Sequence, residues 1–346
     1  MSKSRFAVGF PIFILISLIL SCNYYQGPPS DHFDGSHFFN KEPEHTFFEH
    51  IKWLWDMETV EWPDWINDPP QPPPVANIKK GELRITYINQ ATTLIQMDGI
   101  NILTDPIWSE RAGPFSWMGS KRVRAPGVKM EDLPNIDIIL ISHDHYDHLD
   151  LPTLEKLFKK HQPFVLVGLG VKRRLESIKQ NDIIELDWCK EYTYSTDTKI
   201  TFVPSLHGSG RGLFSGNETL WGGFVIEGSS GRVLFMGDTG FGDFLTDIQK
   251  RYPNFQSAIL PIENYEKRWF MKTEHMNPDD AVRVHKMLNV TKSVGIHFST
   301  FKEHPEQAIN AHEKDLQTAL EKYNIQESDF WILKFGEGRE VIKLEE

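Results

Sequence analysis

Cysteine is almost missing from this 346-residue chain: Cys22 and Cys189 are the only two. Two thiols cannot build a disulfide framework, so the fold must rest on its core. Basic charge is also short, with 37 Lys and Arg against 48 Asp and Glu and a formal charge of −11. No Lys/Arg-rich block follows the N-terminus, and broad nucleic-acid binding needs such a footprint, so no nucleic-acid partner is expected. Apolar runs of spanning length are missing too. The longest, residues 6–20, falls short of the roughly 20 residues a membrane helix wants. What is there, 40% hydrophobic and 25% charged residues, suits a globular chain with a sizeable core.

The N-terminus reads as a targeting segment, with Lys3 and Arg5 ahead of the apolar run. The run ends Ile19-Leu-Ser-Cys22, which resembles the lipobox of bacterial lipoproteins. That resemblance implies cleavage before Cys22 and lipidation of its thiol. The product would be an exported, membrane-anchored lipoprotein of the bacterial cell envelope, facing the periplasm or the cell surface. An uncleaved anchor or a simple secretory signal are the alternatives. With Cys22 acylated, Cys189 has no partner and is expected to be a buried or half-buried thiol.

The expected organisation is a signal peptide over 1–21, a tether, aromatic-rich segment and Pro-rich connector over 22–80, and the main domain over 81–346. Phe47, Phe48, Trp53, Trp55, Trp62 and Trp65 crowd residues 46–65. Such density usually packs onto a domain. A membrane-facing platform is the sharper alternative, and the carboxylates of Glu49, Asp56, Glu58, Glu61 and Asp64 argue against it on an anionic surface. Asn67-Asp-Pro-Pro-Gln-Pro-Pro-Pro74 then makes a stiff connector.

From residue 83 the pattern alternates with period two, and Asp98-Gly99 between apolar runs predicts a hairpin. Strands then alternate with helices, expected over 151–160, 171–179, 277–288 and 305–323, which is an α/β rhythm. A second hairpin is expected around 228–231, and a closing one from 330–333 and 340–344.

One stretch stands out. Ile136-Asp-Ile-Ile-Leu-Ile-Ser142 reads as a strand buried on both faces, and it runs straight into His143-Asp-His-Tyr-Asp-His148. So many imidazoles and carboxylates within six residues suit a divalent cation such as zinc, the alternative being a His-rich polar loop. His207, Asp238 and His297 each lie just past a further expected strand, and ligands of α/β sheets bind at that edge. A zinc ion wants three protein ligands plus water, so seven ligands fit two ions. The natural division puts His143, His145 and His207 on one and Asp147, His148 and His297 on the other, with Asp238 bridging. Two cations so placed lower the pKa of a shared water and clamp both oxygens of a displacement at phosphorus or carbon.

This ligand set resembles that of the metallo-β-lactamase superfamily. Asn101-Ile-Leu-Thr-Asp-Pro-Ile-Trp108, Met118-Gly-Ser-Lys-Arg122, Ile184-Glu-Leu-Asp-Trp188 and Arg268-Trp-Phe-Met-Lys272 further resemble its N-acylphosphatidylethanolamine-hydrolysing phospholipase D branch. The resemblance implies an αββα sandwich of two mixed sheets flanked by helices, and a site for two Zn2+ ions. It also implies cleavage of such lipids to phosphatidic acid and N-acylethanolamine. Asp238 and His275 would be catalytic, Tyr146 and His275 would touch substrate, and a homodimer becomes plausible. Another ester, a lactone or a different phosphodiester, is the rival substrate, and a non-catalytic metal-binding lipoprotein is the rival class. Two departures bear on the substrate: Gln90 stands where the family commonly has His, and Glu274 where related members carry an amide. Neither is expected to touch the seven ligands.

Overall fold

The computed structural model describes residues 25–42, 45–178, 182–212, 215–302 and 306–342. The targeting segment and Cys22 lie outside them. Among the described residues no helix is long and apolar enough to cross a membrane.

The central run behaves as its composition demands. In strand Ile138–Ile141, Ile138 and Leu140 enter the core between two sheets, while Ile139 and Ile141 enter a second core under helix Leu151–Lys160, with Leu154 and Leu157. Successive side chains of a strand point to opposite faces, so burial on both sides produces an unbroken apolar run. The first sheet has seven strands, in the order Gly338–Glu340, Leu83–Asn89, Thr92–Met97, Ile100–Thr104, Ile138–Ile141, Phe164–Gly168 and Ile183–Leu186. It is antiparallel up to Ile100–Thr104 and parallel beyond. The second runs Phe330–Trp331, Val290–Ile296, Phe255–Pro261, Gly231–Phe235, Gly223–Gly228, Lys199–Val203 and Glu191–Thr193, parallel first and antiparallel after Gly231–Phe235. Tyr87, Ile95, Phe202, Phe224 and Phe235 join the sheets into one core. With helices on the outer faces, this is the expected αββα sandwich.

The Asp98-Gly99 hairpin forms, both residues having positive φ (55° and 85°), as a tight two-residue turn requires. Three expectations are corrected. The closing residues form no hairpin: Phe330–Trp331 pairs with one sheet and Gly338–Glu340 with the other, because both edges offer unpaired backbone. The helix over 171–179 stops at Arg174, and residues 179–181 lie outside the description. Cys189 is exposed, not buried: it sits at φ 64° in the turn after Trp188.

The Pro-rich connector lies along the main domain, where Ile66 donates its N–H to the Val123 carbonyl (2.7 Å) and Asp68 pairs with Arg124 (3.1 Å).

Candidate metal centre

Four strands end at one point. Ile138–Ile141 delivers His143 to His148, Lys199–Val203 leads to His207, Gly231–Phe235 to Asp238 and Val290–Ile296 to His297. Each strand is fixed by core packing, so the loops beyond them are aimed by rigid supports. The seven predicted residues converge as two groups whose ligand atoms lie within 4.8 Å of one another: His143, His145 and His207, and Asp147, His148, Asp238 and His297. Asp238 Oδ2 stands between the groups, 3.2 Å from His148 Nε2, 3.1 Å from His297 Nε2 and 3.8 Å from His207 Nε2.

The donor set fits a divalent cation in each group. Asp238 Oδ1 is buried without a hydrogen-bond partner, a cost that a coordinating cation removes. Burial drives His143 well below its ordinary value and His207 down to about 3, so both are neutral and their nitrogens are available as donors. Burial also opposes charge on His148 and His297, but Asp147 and Asp238 outweigh it and hold both well above the ordinary value. The same imidazoles keep the two carboxyls well below theirs despite burial. The two carboxylates thus favour positive charge in their half of the cluster.

The ligand rings are oriented from behind. His143 Nδ1 contacts Ser142 Oγ (2.9 Å), and His207 Nδ1 donates to the Glu274 carbonyl (2.9 Å). His148 Nδ1 donates to Asp105 Oδ2 (2.7 Å), which turns Nε2 toward the cluster. Asp105 also accepts from Ser142 N (2.7 Å) and Ser142 Oγ (2.5 Å). Reasoning from ligand types passes over Asp105, which looks like a strand terminator before Pro106. Its place just past strand Ile100–Thr104, on the same edge as the ligands, is the signal that finds it.

Contrary to expectation, both departures reach the candidate ligands. Gln90 Nε2 is 2.9 Å from both Asp147 Oδ2 and His297 Nε2, since its φ of 45° turns it inward, and the Glu274 carboxylate reaches within 3.5 Å of His207. His275 is buried 3.8 Å from Asp238 Oδ2, and burial pushes it well below its ordinary value. Tyr146 lines the cavity, but its hydroxyl donates to the Arg211 carbonyl (2.8 Å).

The metal ligands floor a cavity of about 550 Å3, walled on one side by His50, Trp53, Phe270 and Met271. Trp53 stacks on Phe270 at 5.0 Å. The aromatic-rich segment packs only in part, through Trp53 and the buried Trp62. On the outer side of helix Phe47–Asp56, Phe48 is 80% and Trp55 88% exposed. Ala112 and Ser120 also line the cavity, and in the loop between them Phe115 and Trp117 stack in the open, Trp117 being 70% exposed. Exposed aromatics are thus carried by two segments that also line the cavity.

Comparison with known proteins agrees with this picture. The family described as "Beta-lactamase superfamily domain" matches residues 100–298. A Caenorhabditis elegans N-acyl-phosphatidylethanolamine-hydrolyzing phospholipase D is 38% identical over 226 residues, 62% of this chain and 64% of that protein. A mitochondrial Saccharomyces cerevisiae protein with the same activity in its name is 32% identical over 235 residues, 66% of this chain and 50% of its own. Igni18, a metallo hydrolase of the archaeon Ignicoccus hospitalis, aligns with a TM-score of 0.58 at 19% identity, covering 76% of this chain and all of that one. The chain therefore spans about half to two thirds of the length of these two curated relatives.

Proposed function

Since the chain belongs to the metallo-β-lactamase superfamily, in its N-acylphosphatidylethanolamine-hydrolysing phospholipase D-like branch, we propose that it is a zinc-dependent phosphodiesterase of phospholipase D type. Its substrates would be N-acylphosphatidylethanolamine-like phospholipids, and its products phosphatidic acid and N-acylethanolamine. The observation that carries this reading is the pair of ligand groups, with Asp238 Oδ2 of one 3.8 Å from His207 Nε2 of the other, in a cavity lined also by Trp53 and Phe270. The polar floor suits a phosphodiester and the wall an acyl chain.

Two zinc ions, one held by His143, His145 and His207 and one by Asp147, His148 and His297 with Asp238 shared, would supply Lewis acidity and a water of lowered pKa. Asp238 would orient the attacking water as well as help to hold the ions. His275, neutral by burial, offers an imidazole N–H to a phosphoryl oxygen or to the departing alkoxide. Trp53 and Phe270 exclude water from the acyl side.

The exposed aromatics on segments that line the cavity suit a substrate drawn from a bilayer, as does an anchor at Cys22. Export to the cell envelope and assembly into a homodimer belong to the same proposal. The test is a product assay on purified, metal-analysed protein. N-acylphosphatidylethanolamine, a generic phosphodiester and a lactone are supplied in parallel, and products are identified by mass. Release of N-acylethanolamine supports the reading, and selective turnover of another ester replaces the substrate. One fully coordinated ion with no hydrolysis of any of them favours a binding protein.

A further inference from the structure

Arg211, in the segment that carries His207, ties it to the loop that carries His143 and His145. Residues 207–217 include Gly208, Gly210, Gly212 and Gly216, and glycine-rich backbone has the most conformational freedom to lose. Arg211 reaches back from this segment across Tyr146, its guanidinium lying 3.9 Å from the ring centroid. Its Nη1 donates to two carbonyls, Asp144 O at 2.9 Å and Leu149 O at 2.7 Å. These acceptors bracket His145, Asp147 and His148. Tyr146 returns a hydrogen bond from its hydroxyl to the Arg211 carbonyl, and Gly210 N donates to Asp144 Oδ1 (2.7 Å).

We infer that Arg211 is a positioning residue for the three-histidine half of the metal centre. It clasps the segment that carries His207 to the loop that carries His143 and His145, with Tyr146 as the other half of the clasp. The two segments leave different sheets, so no shared strand pairing sets their separation. The ligands of this half come from those two segments alone. The other half also draws on Asp238 and His297, and His148 is independently held by Asp105. A planar guanidinium suits the task because it stacks on a ring and donates in its own plane, whereas an ammonium offers only a point charge. The inference rests on the two-ion reading proposed above.

The test uses Arg211→Ala and Tyr146→Phe beside the unaltered protein, without substrate. Affinities of both sites are measured by competition with a chromophoric chelator, and cobalt(II) visible spectra report the geometry of each ion. Arg211→Ala should weaken the three-histidine site about 10- to 100-fold, the range for lost support of a ligand, and leave the other within about threefold. Guanidinium ion at low millimolar concentration should restore part of the loss. Tyr146→Phe should act in the same direction by a few-fold, because the stack survives. Equal weakening of both sites overturns the inference, as does unchanged affinity or loss of folding in the metal-free Arg211→Ala protein. If the unaltered protein binds a single ion, the two-ion reading fails instead. The clasp is then judged on whether Arg211→Ala weakens that ion.

Discussion

Asp105→Asn changes one atom type in a buried residue, and the structure specifies what it disturbs. Two fixed donors converge on the carboxylate: Ser142 N on Oδ1 at 2.7 Å and His148 Nδ1 on Oδ2 at 2.7 Å. An amide has one oxygen, so one of these donors must face an NH2 group. Turning the NH2 toward Ser142 leaves a buried backbone N–H unpaired, at a cost of about 1–3 kcal/mol. Turning it toward His148 forces the proton onto Nε2, the nitrogen that faces the cluster, and blocks that donor. Metal affinity of the Asp147–His148–His297 group should fall about 10- to 100-fold, equivalent to about 1.4–2.7 kcal/mol. Chelator competition reads this directly, and the melting temperature of the metal-free protein separates it from a folding defect. Unchanged affinity, or an equal loss at the three-histidine group, would refute the assignment of Asp105 as the support of His148.

His207→Ala should lose one metal by elemental analysis and nearly all turnover; two retained ions with full activity would rule out the ligand division. Glu263 is pushed up to about 8 by burial, well above an unfolded value near 4.5. The folded protein therefore holds that proton more tightly, and the associated stability, complete below about pH 4.5, should be lost as pH rises through about 8. Glu263→Gln should flatten the melting temperature across that window, and an unaltered slope would assign it to other groups. Trp55→Ser and Trp117→Ser should raise the apparent KM for substrate in vesicles while leaving a soluble short-chain analogue unaffected. A matching change on the soluble analogue would place these residues in the cavity's chemistry instead. Dialysis against a chelator should abolish hydrolysis, and stoichiometric zinc should restore it.

Several features could be read from residue types at fixed spacing. The burial of Ile138–Ile141 on both faces, the Asp98-Gly99 turn and the Asn277 cap, whose side chain accepts from Asp280 N, are local matters. Residues 330–333 and 340–344 read as a hairpin because pairing partners far along the chain leave no local trace. The expectation that the aromatic segment packs onto the domain holds only in part, for a related reason. Trp62 donates to the Gln307 carbonyl and is buried, whereas Trp55, equally aromatic, faces outward.

The seven candidate ligands were legible because coordination chemistry admits few residue types and the α/β rhythm puts them at strand ends. Their grouping into two sets, and the place of Asp238 between them, is set by four strands meeting at one edge. The groups that orient those ligands belong to the fold alone. Asp105 lies 43 residues before His148 in sequence, Arg211 lies 62 after Leu149, and Gln90 is 207 from His297. A metal constrains the identity of the atoms that bind it, and that constraint is written in the chain. The residues that hold those atoms in place need only be close in space, and only tertiary packing brings them there.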